Sequence, residues 1–321
     1  MRRREIIAFF AASAAWPFAT VAQQPALPRI GLLFATQGPA RNGIVKSLAE
    51  LGYVDGKTAN IEQRSTEGKL ERLPDLAREL VALPVDVIVS VAASATVAAR
   101  KATATIPIVM VHAGDPIGYG LIESLARPGG NVTGTTSYSP EIVAKGIELL
   151  REVVPTMQRL AILAVPSNAG TPLALREAQV AADSFGLDLT IVRVERAGDL
   201  DAALAMIERS GADGLYVFVE PMLYSNRSRL VGFATGMRLP TLYQNGDVVR
   251  DGGLIGYSPV FSAHYARAAE YVDKILKGAK PSELPVEQSM QYELVINMPS
   301  ARAIGVEIPP SLLARADEVI D

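Results

Sequence analysis

Apolar and polar residues recur along this chain at two distinct periods. Short, nearly unbroken apolar runs read as strands buried on both faces: Arg29–Phe34, Val85–Val89, Ile108–Val111, Arg159–Leu163 and Ala212–Phe218. Segments with an apolar residue every third or fourth position lie between them and predict amphipathic helices. Asn42–Leu51 sets Ile44, Leu48 and Leu51 on one face. The next helix carries Leu70, Leu73, Leu76, Ala77, Leu80 and Val81, with Pro74 tolerable in its first turn. A helix is expected over Ser94–Ala104. A shorter one is expected over Ile117–Ala126, ahead of a Pro128-Gly129-Gly130-Asn131 turn and a strand entering Gly134. Strands that alternate with helices in this way predict an α/β fold of parallel, doubly wound sheets with right-handed crossovers.

The series then repeats. Helix Glu141–Val154, strand Arg159–Leu163, helix Gly170–Phe185, strand Leu189–Val194, helix Leu200–Ser210 and strand Ala212–Phe218 follow in the order of the first half. Four landmark pairs (Ile30 and Leu160, Gly52 and Gly186, Asp86 and Asp213, Asp115 and Asp247) stand 127 to 134 residues apart. Such even spacing points to a duplicated unit, and two lobes of this kind would face each other across a cleft. A strand at Gly253–Tyr257, a long helix at Ser262–Lys277, a linker at Pro281–Pro285 and a last strand at Leu294–Met298 lead into the tail.

Composition narrows the function. With 321 residues, 49% hydrophobic and 20% charged, the chain is an ordinary globular one with room for two cores. A net charge of −3 without basic runs argues against nucleic acid as a partner. Met1–Ala22 reads as a cleaved export signal: Arg2, Arg3 and Arg4 precede an apolar stretch holding Trp16, and small residues Thr20 and Ala22 close it. The stretch is too short to span a bilayer, and Arg3-Arg4 leaves both ordinary and twin-arginine export open. Residues 23–28 form a linker. The absence of cysteine excludes disulfides, thiol chemistry and a lipid-anchoring cysteine, so a free periplasmic protein is expected. His112 and His264 have no third partner in sequence to suggest a metal site or a catalytic triad. No phosphate-binding Gly-rich loop is present. No catalytic residue, metal or cofactor is therefore expected.

One stretch carries a family signal. Gly114-Asp115-Pro116, followed by LARPGGNVTG at Leu125–Gly134, resembles the ABC-transporter substrate-binding proteins of the periplasmic-binding-protein type I fold, in their tryptophan/tyrosine-type branch. YVDKILKGAKPSELPVEQ at Tyr271–Gln288 and LVINMPSARAIGVEIPPSLLARADEVI at Leu294–Ile320 resemble it too, and the likeness runs over the whole mature chain. It implies lobes that exchange strands, with crossings near residues 135–140, 253–259 and 283–291. The N-terminal lobe would be 29–135 plus 259–283, and the C-terminal lobe 136–258 plus 284–321. It further implies capture of a small solute, an amino acid or related carboxylate, by a monomer that closes on it. The partners would be a membrane permease and a separate ATPase chain, with no membrane insertion of the mature chain. A periplasmic sensor subunit is the alternative role, and an α/β enzyme using Asp115 or Glu220 as a base a weaker one.

Candidate ligand residues follow from the carboxyl ends of the strands, where open α/β sheets present their sites. Ala93, Ser94 and Thr96 open a helix whose N–H groups and hydroxyls suit a carboxylate, unless Ser94 merely caps the helix. Asp115 and Asp247 match between halves; either can hold an ammonium or brace its loop, and Pro116 favours bracing for Asp115. Glu220 ends a strand and can pair with an ammonium group. His112 reads as a partly buried histidine or a ligand contact, and Tyr243 as a ring platform or a core residue. Gln37, Gly114, Ser137, Asn168 and Asn245 complete the set as residues at strand ends or the hinge.

Overall fold

The computed structural model describes residues 27–36, 38–137, 141–168, 170–288 and 291–321. The expected signal segment and the candidate Gln37 lie outside these residues. Two sheets organise the chain. The first contains β1 (Arg29–Phe34), β2 (Asn60–Ser65), β3 (Val87–Val91), β4 (Ile108–Ala113), β5 (Val132–Thr136) and β11 (Glu287–Gln288). The second contains β6 (Arg159–Ala164), β7 (Asp188–Arg193), β8 (Gly214–Val217), β9 (Thr241–Tyr243), β10 (Ile255–Pro259), β12 (Tyr292–Asn297) and β13 (Glu318–Ile320).

The strand orders are β2-β1-β3-β4-β5-β11 and β7-β6-β8-β9-β10-β12-β13, so the first five strands of each half are arranged alike. All pairings are parallel except β10 with β12. Central strands β1, β3 and β6 are buried almost throughout, which is why they are written as continuous apolar runs. Edge strand β2 carries Glu62, Gln63 and Arg64, which one covered face permits.

The duplication reaches single side chains. The Asp86 carboxylate accepts from the Arg29 N–H at 2.7 Å, and the Asp213 carboxylate accepts from the Arg159 N–H at 2.8 Å. Each aspartate stands immediately before the third strand of its half and pins the start of the first. In the second half, α5 (Thr171–Phe185) and α6 (Leu200–Ser210) end on Gly186 and Gly211, both left-handed, where glycine avoids a Cβ clash.

Helices α1 (Pro39–Glu50), α2 (Leu73–Ala82) and α3 (Ala93–Ala102) flank the first sheet, and α4 (Glu141–Val153), α5 and α6 the second. Past β8 come α7 (Pro221–Ser225) and α8 (Arg227–Gly236), and past β9 comes α9 (Gly246–Arg250). After β10 the chain returns to the first lobe as α10 (Phe261–Leu276). Its Tyr265, Ala268, Ala269, Tyr271, Val272 and Ile275 join the core over β1, β3 and β4. The pairing of β11 with Thr135 and Thr136 keeps the chain in the first sheet as far as Gln288. That lies beyond residue 283, where the sequence divides the lobes. The tail adds α11 (Met298–Ile304) and α12 (Pro310–Leu313).

One expected helix is absent. Residues 117–126 form turns: the Asp115 carboxylate accepts from the Gly118 N–H at 2.9 Å, the Ile117 carbonyl accepts from the Gly120 N–H, and Gly120 has a positive φ. Two glycines and an aspartate turn win over the short apolar pattern.

Candidate functional site

Where strand order reverses, between the first and third strands of a doubly wound sheet, neighbouring loops part and leave a crevice at the carboxyl edge. Both lobes turn this edge toward each other. The cleft between them spans about 1370 Å³, measured out to open solvent. From the first lobe it is lined by Thr36, Gly38, Ala93, Ser94, His112 and Gly114, and from the second by Asn168, Phe218, Glu220, Tyr224, Asn245 and Asp247. Ser137, Phe261 and Tyr265 stand beside the crossings.

Helix α3 begins at Ala93, and its N-cap is Ala92, held at φ 75° without a side-chain cap. The reading of Ser94 as a cap therefore fails. Its Oγ is buried with no hydrogen-bond partner. The N–H groups of Ala93, Ser94 and Ala95 occupy the first turn, where no helical carbonyl is available to accept them. Three N–H donors, one hydroxyl and the positive end of a ten-residue helix make a seat for an anion. The N-terminal ends of α1 and α5 reach the same cleft through Gly38 and Gly170.

Glu220 brings the opposite sign. It ends the loop after β8, and its Oε2 accepts from Asn168 Nδ2 at 3.0 Å, while Asn168 Oδ1 accepts from the Gly170 N–H. Burial raises its pKa to about 7; the Asn168 bond opposes that rise and the charge of Glu195 adds to it. Asp247 lies nearby on α9, tied to Arg250 at 3.0 Å, and Asn245 caps α9 by accepting from the Asp247 N–H.

His112 is aimed into the cleft by an irregularity in β4. The register to β5 shifts between Met110 and Ala113, and His112 takes φ 40°. Its ring packs against Phe261 at 4.9 Å and His264 at 6.3 Å. Burial, reinforced by His264, depresses its pKa to about 3 and keeps the imidazole neutral. The Ser137 hydroxyl donates to the His112 carbonyl at 3.4 Å.

Three candidates stand outside the cleft lining. Thr96 is fully buried; its Oγ1 lies 2.9 Å from Ser90 Oγ and donates to the Ala92 carbonyl, so it braces the start of α3 and does not line the cleft. Asp115 braces its own turn, as described above, and lies outside the lining. Tyr243 is 2% exposed, packed in the second lobe's core behind the cleft wall, and is not among the lining residues. The candidates Ala93, Ser94, His112, Gly114, Ser137, Asn168, Glu220 and Asn245 do come together. Sequence reasoning missed the aromatic walls: Tyr119, Phe218, Tyr224, Phe261 and Tyr265. Phe218 follows a strand, while Tyr224 and Phe261 lie on helices that begin at Pro221 and Phe261, just past strand ends. That position was the available signal.

Residues 36–320 match the family described as ABC transporter substrate binding protein. The chain belongs to that family. This substrate-binding protein is 23% identical, over 268 residues, to the tyrosine-binding protein of Clostridioides difficile (strain R20291), a match spanning 84% of this chain and 77% of that protein. Its structure is similar to that of the ABC domain in complex with L-Trp from Streptococcus pneumonia: 27% identity, TM-score 0.85, covering 92% of this chain and 100% of that one. A conserved domain protein from Vibrio cholerae gives the same identity and TM-score, over 91% of this chain and 99% of that one. The substrate-binding protein is thus a member of a solute-capturing family rather than of an enzyme family, and among its described residues no helix is long and apolar enough to cross a membrane.

Proposed function

We propose that this protein binds the zwitterion of an amino acid with an aromatic or otherwise apolar side chain, in the periplasm, and hands it to a membrane permease driven by a separate ATPase chain. The carrying observation is the pair of opposite polarities in one cleft: the donor-rich start of α3 with the buried, unpartnered Ser94 hydroxyl, and the Glu220 carboxylate contributed by the second lobe. The ligand's carboxylate takes the first and its ammonium the second. The side chain lies among Phe218, Tyr224, Phe261 and Tyr265. A ligand held at one end by each lobe binds the closed form better than the open one, which is the differential affinity that closure needs. The L-Trp complex of the Streptococcus protein and the tyrosine-binding relative support an aromatic side chain. The cationic, apolar start of the chain supports export.

A thermal-shift screen of the twenty amino acids, with the corresponding amines and carboxylic acids, tests this. L-Tryptophan or L-tyrosine is expected to raise the melting temperature, while tryptamine and indole-3-propionate, each lacking one charge, are expected to fail. The Ser94→Ala/Glu220→Ala double variant should lose the rise. Unchanged binding by that variant would disprove the assignment of the two ends.

A further inference from the structure

The lobes also touch each other away from the cleft. Leu70, on the 3-10 turn Leu70–Arg72 between β2 and α2, packs against the first lobe's cluster under α2. It also packs against the second lobe's cluster that holds Met222, Leu223 and Leu230. Beside it, a Cβ placed on Gly68 would stand 3.9 Å from both Cβ and Oγ of Ser225, the last residue of α7. A Cβ on Gly38, at the start of α1, would stand 3.2 Å from the Tyr224 hydroxyl. The first lobe's 68–70 turn is therefore seated on α7, and neither Leu70, Gly68 nor Ser225 lines the cleft.

We propose that Leu70, lodged against α7, is a latch that holds the two lobes together before any ligand arrives, and that it sets affinity without touching ligand. Opening the lobes would expose Leu70 and the part of the second lobe's cluster it covers to water, and hydrophobic burial opposes that. The apparent dissociation constant is the intrinsic one divided by the fraction of molecules already in the binding-competent form. Loosening the latch lowers that fraction, so it weakens every ligand by one common factor. A change inside the cleft would instead discriminate among ligands. The consequence for affinity rests on the ligand reading given above; the latch itself does not.

The chain contains no cysteine, so a Gly68→Cys/Ser225→Cys variant holds a single thiol pair, at a Cβ separation within the range of native disulfides. The reduced variant of the full mature chain is exposed to oxidised glutathione without ligand, and the crosslink is followed by intact mass. It should form readily, and about tenfold more slowly when Leu70→Asn is added, the loss expected from one poorly buried apolar side chain. Equal rates with and without Leu70→Asn would overturn the proposal. Because Gly68 has φ +87°, a cysteine there is strained. Small-angle scattering of the cysteine-free chain therefore provides a second decision: ligand-free Leu70→Ala and Leu70→Asn should show a larger radius of gyration than the parent, at an unchanged circular dichroism spectrum. Equal radii would again overturn it. L-Tryptophan and L-tyrosine titrations then separate the two readings. A common loss of affinity for both supports the latch, whereas a selective loss for one contradicts it. Positive crosslinking and scattering results with no amino acid bound would sink the ligand reading and leave the latch standing.

Discussion

Glu220 is the residue at which stability and the proposed function pull in opposite directions. Its carboxyl is held neutral up to about pH 7 by burial, well above its ordinary value of 4.5. The folded state therefore favours the proton: the cost of ionising Glu220 begins above the unfolded pKa, grows as pH rises and is complete above about pH 7. A shift of this size corresponds to roughly 3 kcal/mol. In the proposed reading an ammonium group bound beside it supplies the missing counter-charge, so ligand affinity should fall by up to about tenfold per pH unit below 7, where binding must first expel the proton. Glu220→Gln keeps an acceptor for Asn168 and removes the ionisation. It should melt several degrees higher than the parent at pH 8 and within a degree of it at pH 5, by about the energy just given. It should also lose affinity for L-tryptophan at pH 8 and lose the pH dependence of what affinity remains, as calorimetric titration at several pH values would show. His112 and His264, both kept neutral by burial, impose the reverse slope, since acid must charge them. That slope is common to parent and variant and cancels in their difference.

At the scale of elements, the strands and long helices were legible because burial on two faces, or on one, writes itself as a period. The failures have the same cause. Residues 117–126 look amphipathic, but Gly118, Gly120 and the Asp115 turn offer the backbone a cheaper local arrangement. Helix α8 went unread because only Leu230 and Ala234 of its ten residues are buried and Gly232 and Gly236 interrupt it. Helices α7 and α9 have five residues each, too few to show a period. Within the site, strand ends located Ser94, Asn168 and Glu220. They could not show that α3 starts at Ala93, which rotates Thr96 into the core and Ser94 toward the cleft. Nor could they show that Tyr243 is taken up by the second lobe's core. The glycine that ends the family motif has a structural duty. Gly134 sits in β5 at φ +128°, and a Cβ there would stand 2.1 Å from the Met110 carbonyl oxygen, a backbone atom that cannot swing aside. Gly134→Ala should destabilise the protein by at least about 2 kcal/mol through strain and displacement of β4. Urea denaturation would measure it, and a change under 0.5 kcal/mol would show that the two strands separate more easily than their packing implies.

For the whole molecule, the decisive feature is that neither lobe is a continuous stretch of chain. The first sheet is nearly complete by Thr136, yet one of its faces is covered by α1 together with α10, which arrives more than a hundred residues later. His264 Nδ1 lies 2.9 Å from Thr135 Oγ1, the Thr133 hydroxyl donates to the Leu284 carbonyl at 2.7 Å, and β11 pairs the edge of β5. Without α10, the apolar residues Ile30, Leu32, Val87, Val89, Val109 and Val111 would keep only Ile44 and Leu48 of α1 and lose the larger part of their cover. Residues 27–137 expressed alone should therefore fail to fold, giving poorly dispersed amide resonances and strong binding of a hydrophobic dye, although they contain five of the six strands. Residues 27–137 joined through a flexible linker to 260–288 should recover dispersion. Dispersion in the shorter fragment would mean that the first lobe is autonomous and that the crossings serve only motion. The expected result means that they serve both: the segments that complete the first core are the ones that tether it to the second, so the hinge cannot loosen without disturbing the cleft wall formed by His112, Phe261 and Tyr265.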